Sequence, residues 1–428
     1  MTGRRAALQA ASVLTAWALL LALVWTLGQE KLANATGNLQ LGAMPLYGSW
    51  EWHLDAGLLA PIAMGALIIA FLPPICARWR WRYALLATTL AGTAFSLAMA
   101  VAHSHPLTWI DLDNQYAGHT NLVDEAGGFG PFLKGYTAVQ LAGDVPVHMQ
   151  SHPPGLVLCF WAAEQLGLDG LVFQNTVVKL GVAAAIAAAL TIGRDVAGER
   201  LTRRAAPFLA LAPAAFWQNN ADLVFAGVTL SAVACLVLAT NRTGGRAALL
   251  TVAGGLLAGA ALMLTFSAAL LAVPLVAVAV WRRRWGVLLG GGALAAAVVL
   301  LPLAWGYWWL EGLQATRVRY YAGVAALRGY WYFLLANLAV FALALGPATA
   351  VALARLRDRR MWLVVGSCLA AVAAADLSGM SSSEVERIWQ PFMPLVLLAG
   401  CALTRPRTWL ALQLAVAVVI AAALRVQW

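Results

Sequence analysis

The sequence predicts an all-α polytopic membrane protein of about 13 transmembrane helices, and three observations carry that expectation. Of its 428 residues, 62% are hydrophobic and only 11% are charged. A water-soluble chain carries about twice that share of charge. Apolar stretches of about 20 residues recur, the length that crosses a hydrocarbon core. The arginines sit in short clusters between those stretches, which is the positive-inside pattern.

The clusters order the spans. Spans are expected at 6–27, 55–76, 82–102, 171–193, 204–219, 222–240, 247–266, 268–281, 285–308, 330–354, 361–376, 388–404 and 408–425. Residues 1–81 then hold two N-terminal spans, 82–404 a core, and 405–428 a last span. The N-terminus has a basic, signal-like start, but its apolar run is too long for a cleavable segment, so a retained first helix is expected. With that end inside, Arg4, Arg5, "ARWRWR", "GRDVAGERLTRR", "NRTGGR", "WRRRW", "RLRDRR" and "TRPR" all face the cytoplasm. They hold about 20 of the 28 basic residues, the bias expected of cytoplasmic loops. The opposite side receives about 15 of the 18 acidic residues and all six histidines, a bias that orientation does not require. The apolar stretch 154–167 is short, and a crossing there would invert every later basic loop. It is expected as a re-entrant or surface helix.

Net charge of +10 does not point to nucleic acid here, because the basic residues serve the membrane pattern. Cys76, Cys159, Cys235, Cys368 and Cys401 lie in or beside apolar runs without a CxxC, as packing residues do. Gly255 and Gly259 form a GxxxG pattern suited to close helix packing. No inverted repeat of the transporter kind is visible.

The outer loop 103–153 is the longest, and a long loop in a compact chain usually carries function. It holds Asp111, Asp113, Asp124, Glu125 and Asp144. Within it, "FGPFLKGYTAVQL" has apolar residues at helical spacing, with Lys134 and Gln140 elsewhere, and predicts a helix on the membrane surface. The plainer reading of each acid is a solvated loop charge. The loop ends in "VPVHMQSHPPG". His148 and His152 have the i, i+4 spacing of a helical metal site. His152 precedes Pro153, however, and a residue before proline is pushed out of helical geometry. Hydrogen bonding at a site mouth suits the pair better than zinc, and no metal site is assigned.

Four further features stand on the same side. Lys179 lies within the span 171–193, where a charge needs a partner, a pathway or a route to the surface. Asp222 follows Asn219 and Asn220 at a turn, where it either caps the next helix or faces a site. Arg317, Arg319 and Arg328 lie in the outer segment 309–329. In "SSSEVERIWQPFMP", Glu386 and Arg387 approach a membrane boundary. Ser383 with Glu386 also makes a capping-box pattern. Arginines on the outer side run against the positive-inside bias and suit a phosphate, whose oxygens a guanidinium grips in pairs.

Taken together, the acidic outer loop, "SHPPG" at 151–155, "NAD" at 220–222 and "EVERIWQPFMP" at 384–394 resemble the GT-C superfamily of membrane glycosyltransferases. That group includes protein O-mannosyltransferases, lipid A aminoarabinose transferases and oligosaccharyltransferase catalytic subunits. The stretch from "DLDNQYAGHTNLV" to "HPPG" looks especially like actinobacterial members. The resemblance covers about residues 82–400. It implies a GT-C-like core with surface helices on its outer loop, and an inverting transfer of a sugar from a polyprenyl-phosphate donor to a glycan or protein acceptor. Asp113, or its neighbour Asp111, would take the acceptor proton. Asp124, Glu125, His148, His152, Lys179, Asp222, Arg317, Arg319, Glu386 and Arg387 would bind substrate, with the arginines or Lys179 on the phosphate. A divalent cation stays open as a cofactor. The site would face the periplasm or the exterior. Departures are two extra N-terminal spans, lysine at 179 where relatives have arginine, and no plain Asp-Glu pair. A transporter or flippase of a lipid-linked sugar is the alternative reading.

Overall fold

The computed structural model describes residues 3–35, 38–39, 41–103, 115–143, 145–213 and 219–426. Apolar runs become helices because in hydrocarbon each backbone N–H and C=O must be satisfied within its own segment. The chain opens with α1 (Gly3–Ala33) and a short strand β1 (Ser49–Trp50). Then come α2 (Leu59–Arg78) and α3 (Trp81–His103). Four short helices follow: α4 (Asn121–Glu125), α5 (Phe129–Ala142), α6 (Val147–Gln150) and α7 (Gly155–Glu164). The central helices are α8 (Gly170–Ala197), α9 (Glu199–Ala210), α10 (Asp222–Thr240) and α11 (Gly244–Leu264). Next are α12 (Ala272–Trp281), α13 (Trp285–Leu300), α14 (Trp309–Ala322), α15 (Tyr330–Leu345) and α16 (Pro347–Arg355). Last come α17 (Arg359–Leu377), α18 (Val385–Ile388), α19 (Met393–Leu397), α20 (Pro406–Ala423) and strand β2 (Leu424–Arg425).

Among the described residues, nine helices are long and apolar enough to cross a membrane, or ten if α15 and α16 count as one span bent by 96°. The chain is thus an all-α polytopic membrane protein. Among the described residues each of the thirteen expected spans overlaps helix, but only nine or ten helices are long enough to cross, and four of the expected spans differ in form, the bent 330–354 among them. The span expected at 204–219 is the 12-residue α9. That at 268–281 is α12 with a preceding 3-10 turn, and that at 388–404 is broken into short turns around Pro391 and Pro394. Hydropathy counts apolar residues and does not register a proline that removes a ladder donor. The α15–α16 bend has the same kind of cause. Gly346 adopts φ +80 before Pro347, and buried Gln413 of α20 meets the freed groups: its Oε1 accepts from Ala348 N at 3.2 Å and its Nε2 donates to Leu345 O at 2.8 Å.

The expectation that 154–167 does not cross is met by a parity of contacts. Arg203, at the basic end of α9, donates to Cys76 O at 2.7 Å and Trp79 O at 2.8 Å, at the end of α2. Among the described residues only α3 and α8 are long enough to span between those points, and two crossings return the chain to the same face if α7 adds none. The two strands agree, since Ser49 pairs with Arg425 and Trp50 with Leu424 on the face opposite the basic loops.

Close packing at the centre rests on glycine. A Cβ at Gly181 of α8 would lie 2.3 Å from Leu223 O, and one at Gly227 of α10 would lie 2.7 Å from Gly181 Cα. The GxxxG pair works likewise between α11 and α13, where a Cβ at Gly255 would meet Gly291 O at 2.8 Å and one at Gly259 would meet Ala295 O at 2.9 Å.

Candidate functional site

The α8–α10 contact fixes the depth at which α10 begins. Asn219 Nδ2 donates to Asn175 Oδ1 of α8 at 2.6 Å, and Asn220 Oδ1 accepts the Asp222 amide at 3.1 Å. Asn220 thus serves the backbone, and the Asp222 carboxylate does not cap its helix. It points into the protein, where its Oδ2 lies 2.6 Å from Arg387 Nη1 and 3.5 Å from His148 Nε2. Arg387 Nη2 holds Glu384 Oε2 at 2.8 Å, and Glu384 Oε1 lies 3.8 Å from Arg328 Nη1. Charges therefore alternate from Asp222 through Arg387 and Glu384 to Arg328, with Asp222 and Arg387 both buried. Buried ion pairs offset their desolvation only where charges alternate and are hydrogen-bonded, as the Asp222, Arg387 and Glu384 contacts are.

The loop before α18 is bent to reach this arrangement. Ser383 and Glu384 take φ of +87 and +63, a left-handed region that costs a non-glycine residue about 1–2 kcal/mol. Neighbours hold it there. Asn337 of α15 donates to Asp376 Oδ1 at 2.9 Å and Ser381 O at 2.7 Å, and Ser383 Oγ donates to Pro45 O at 3.2 Å. The capping box expected from Ser383 and Glu386 does not form. Glu386 instead turns toward the N-terminal segment, where its Oε1 accepts from Tyr47 N at 3.2 Å. Burial raises its carboxyl to about 7.

The "SHPPG" corner roofs the cluster. Helix α6 ends at Gln150, so His148 and His152 do not share one helix face, yet their rings stack at 4.1 Å. The turn toward Pro153 brings them together, with His152 Nδ1 bonded to His148 O at 2.8 Å. A carbonyl only accepts, so that nitrogen carries the proton. His148 Nδ1 meets Tyr116 Oη at 3.2 Å, and Phe225, one turn beyond Asp222, lies 5.0 Å from the His152 ring. Gln140 was expected on the polar face of its helix, but it is buried. Its Nε2 donates to Gln150 O and His152 O, each at 3.2 Å, and Tyr136 Oη donates to Met149 O at 2.9 Å. These side chains satisfy carbonyls that a proline-ended turn leaves open.

Both histidines are held below their ordinary range. Burial lowers His148 against the pull of Asp222, and burial with the neighbouring His148 lowers His152 to about 3. Both stay neutral in the folded state, while unfolded histidine protonates near pH 6.5. The unfolded chain therefore binds more protons below that value, and stability falls as pH falls. Glu386, raised to about 7, titrates in the same range with the opposite sign, so the His152 contribution is read as a difference: the unfolding midpoint at pH 5.5 relative to that at pH 7.5 is expected to be higher in His152→Phe than in wild type. An equal change in the two proteins would free His152 of the effect.

Other expected site residues lie elsewhere. Asp111 and Asp113 fall outside the described residues, as does Asp144. Asp124 and Glu125 are exposed and tie surface segments, accepting from Trp161 Nε1 at 2.8 Å and Asn121 Nδ2 at 2.7 Å. They do not join the cluster, because α4 carries them to the outer surface. Arg317 is exposed on α14. Arg319 turns to Gln150 Oε1 at 3.2 Å and so supports the histidine turn, not the ion-pair chain. Lys179 is buried on α8, 3.4 Å from Ser96 Oγ, with no carboxylate partner among the described residues. Arg328, Gln140 and Asn337 enter the cluster or its support. Only Arg328 had a signal, as an arginine on the wrong side for topology.

His148, His152 and Asp222 offer ligand atoms within 4.8 Å of one another, a donor set that suits a divalent transition metal by residue type. Two features oppose that use as arranged. Stacked rings aim their nitrogens in parallel directions, and Arg387 already occupies Asp222 Oδ2.

No family model and no curated protein matches the chain. Among solved structures, it is similar to the crystal structure of ArnT from Cupriavidus metallidurans in the apo state, at 20% identity and a TM-score of 0.42. That likeness covers 77% of this chain and 61% of the other, so the chain spans about three fifths of that protein's length.

Proposed function

We propose that the protein is a membrane glycosyltransferase that moves a sugar from a polyprenyl-phosphate donor to an acceptor hydroxyl at the outer face of the cytoplasmic membrane. The observation that carries this reading is Arg387: a buried guanidinium, on the face opposite the basic loops, held by two carboxylates under a histidine roof. A buried ionised group at the end of membrane-spanning helices, with charged partners arranged around it, is the kind of group that marks functional sites in membrane proteins. The GT-C-like order of motifs adds the reaction class.

In this reading the acceptor oxygen bonds to the anomeric carbon as the carbon–oxygen bond to the lipid phosphate breaks. The bond's electron pair leaves on the phosphate oxygen. The acceptor proton passes to Asp113, or to Asp111. Configuration inverts because attack and departure lie on opposite faces. In this role Arg387, whose guanidinium Asp222 and Glu384 hold in place, would stabilise the charge developing on the phosphate, the usual dominant contribution to such catalysis. Arg328 and Lys31 line an adjoining opening of about 320 Å³, a route by which a headgroup reaches the cluster.

Purified protein in vesicles with labelled polyprenyl-phosphate sugars tests the reading. A glycosidic product is expected, and Asp113→Asn should slow its formation about 10²–10⁴-fold, the range of general-base contributions. Full activity in Asp113→Asn would pass that role to Asp111. Labelled lipid that changes leaflet without forming product would replace the enzyme reading with the flippase.

A further inference from the structure

The basic face carries a cleft of about 810 Å³ between the ends of α2, α9 and α20. Arg200, Arg203, Arg204 and Glu199 line it. A neighbouring opening of about 450 Å³ shares Pro73 and Pro406 with it and adds Arg405 and Arg407. Prolines explain the gap. Pro73 and Pro74 lie inside α2 and deprive Ile69 and Ala70 carbonyls of their helical donors. Arg407 Nη2 donates to Ala70 O at 3.0 Å in compensation.

Several of these charges have structural work. Arg203 holds the end of α2, and Arg204 Nη2 donates to Leu403 O at 3.1 Å. Glu199 is the one carboxylate among the lining residues, and it is already gripped by Arg194 at 2.9 Å and Arg203 at 2.7 Å. The Arg200 and Arg405 side chains have no hydrogen-bond or ion-pair partner among the described residues. Two helices also begin at this wall, α9 at Glu199 and α20 at Pro406, and neither start has a side-chain cap. The first amides of α9 and the positive dipole ends of both helices favour an anion; at α20 Pro406 has no amide and Thr408 N is already bonded to Arg405 O at 3.1 Å. The positive-inside bias explains arginines on this face. It does not explain two adjoining openings, each with a guanidinium group that lacks a partner among the described residues, with two helix starts at the shared wall and the lining carboxylate neutralised.

We infer that this cleft binds a phosphate group, that of an anionic phospholipid whose headgroup enters at the bilayer edge. Guanidinium groups grip phosphate oxygens in pairs, and the cleft lies at the ends of membrane helices, where lipid phosphates are found. The site is separate from the Asp222–Arg387 cluster and does not depend on the glycosyltransferase reading.

The test counts lipid retained by the purified full chain, by native mass spectrometry, after exposure to phosphatidylglycerol or phosphatidylcholine micelles. Wild type is expected to retain phosphatidylglycerol about tenfold over phosphatidylcholine, and the Arg200→Gln, Arg405→Gln double variant to lose that preference. Arg246→Gln, on the basic face outside the cleft, is expected to keep it. The unfolding midpoint without lipid should match wild type in all variants; if the double variant unfolds early, Arg200→Gln alone, expected to lose about threefold, carries the test. Inorganic phosphate at millimolar concentration forms a second arm. Displacement of the lipid by phosphate would mean that the phosphate group alone is recognised, whereas lipid retained against phosphate assigns the whole headgroup. No preference in wild type, or an unchanged preference in the variants that remove cleft arginines, overturns the inference.

Discussion

Replacing Arg387 with alanine is expected to destabilise the protein by about 3–5 kcal/mol, because it strands the Asp222 carboxylate, buried and without its cation. Glu384 loses the same partner but is more exposed and retains Arg328 at 3.8 Å, so most of the cost falls on Asp222. His148 lies 3.5 Å from the same carboxylate, but burial lowers its pKa, so it replaces the cation only in part. The double variant Asp222→Asn, Arg387→Leu should recover most of the lost stability, since neither charge then stays buried alone. It should not recover transfer, which is expected to fall about 10²–10³-fold, the range for removal of one electrostatic stabiliser. Thermal unfolding and sugar transfer measured on wild type and the two variants separate the two effects. An Arg387→Ala protein that unfolds at the wild-type temperature would mean that the ion pair is not buried as described. A double variant with full transfer would remove Arg387 from the chemistry.

Gly227→Val is expected to be nearly as severe by another route. The atoms opposing its new side chain are the Gly181 backbone, 2.7 Å from a Cβ, so no flexible side chain can give way. Overpacking typically costs about 1–3 kcal/mol, and a clash of backbone against backbone belongs at the upper end. The two helices must part, and Asp222 sits one turn above the contact. Loss of stability should therefore come with loss of transfer. Gly292→Ala is the matched control, because a Cβ there meets nothing within 4 Å. Equal unfolding midpoints for Gly227→Val and Gly292→Ala would show that the α8–α10 contact is not tight.

Particular residues show where the sequence could be read and where it could not. Arg387 and Arg328 were visible because outer arginines contradict a strong topological bias. Asp222 was ambiguous, since an aspartate at a helix start usually caps it, and only the position of Asn220 shows which side chain takes that task. The two histidines illustrate a local rule that holds while its consequence fails. Pro153 does keep them off one helix face, but a turn can stack two rings as well as a helix can. Gln140 and Asn337 left no trace, because their partners (carbonyls of Gln150, His152 and Ser381, and the Asp376 carboxylate) lie outside their own helices, and no pattern within a helix encodes those. Helix positions were legible from apolar runs throughout, whereas breaks at Pro391, Pro394 and Gly346 depend on which freed carbonyl finds a donor. The acidic residues Asp111 and Asp113 remain the sequence's own proposal.

The pairing of Asp222 with Arg387 also constrains how the protein is made. The partners are 165 residues apart, and at about 5–20 residues per second the carboxylate is synthesised about 8–33 s before its cation. During that interval α10 has to enter the bilayer carrying an uncompensated negative charge. Its place as the first residue of α10 lets it wait at the water boundary, and the later arrival of α18 draws it out of water. A chain truncated before Arg387 and released should therefore be a substrate for membrane quality control, while the full chain should not.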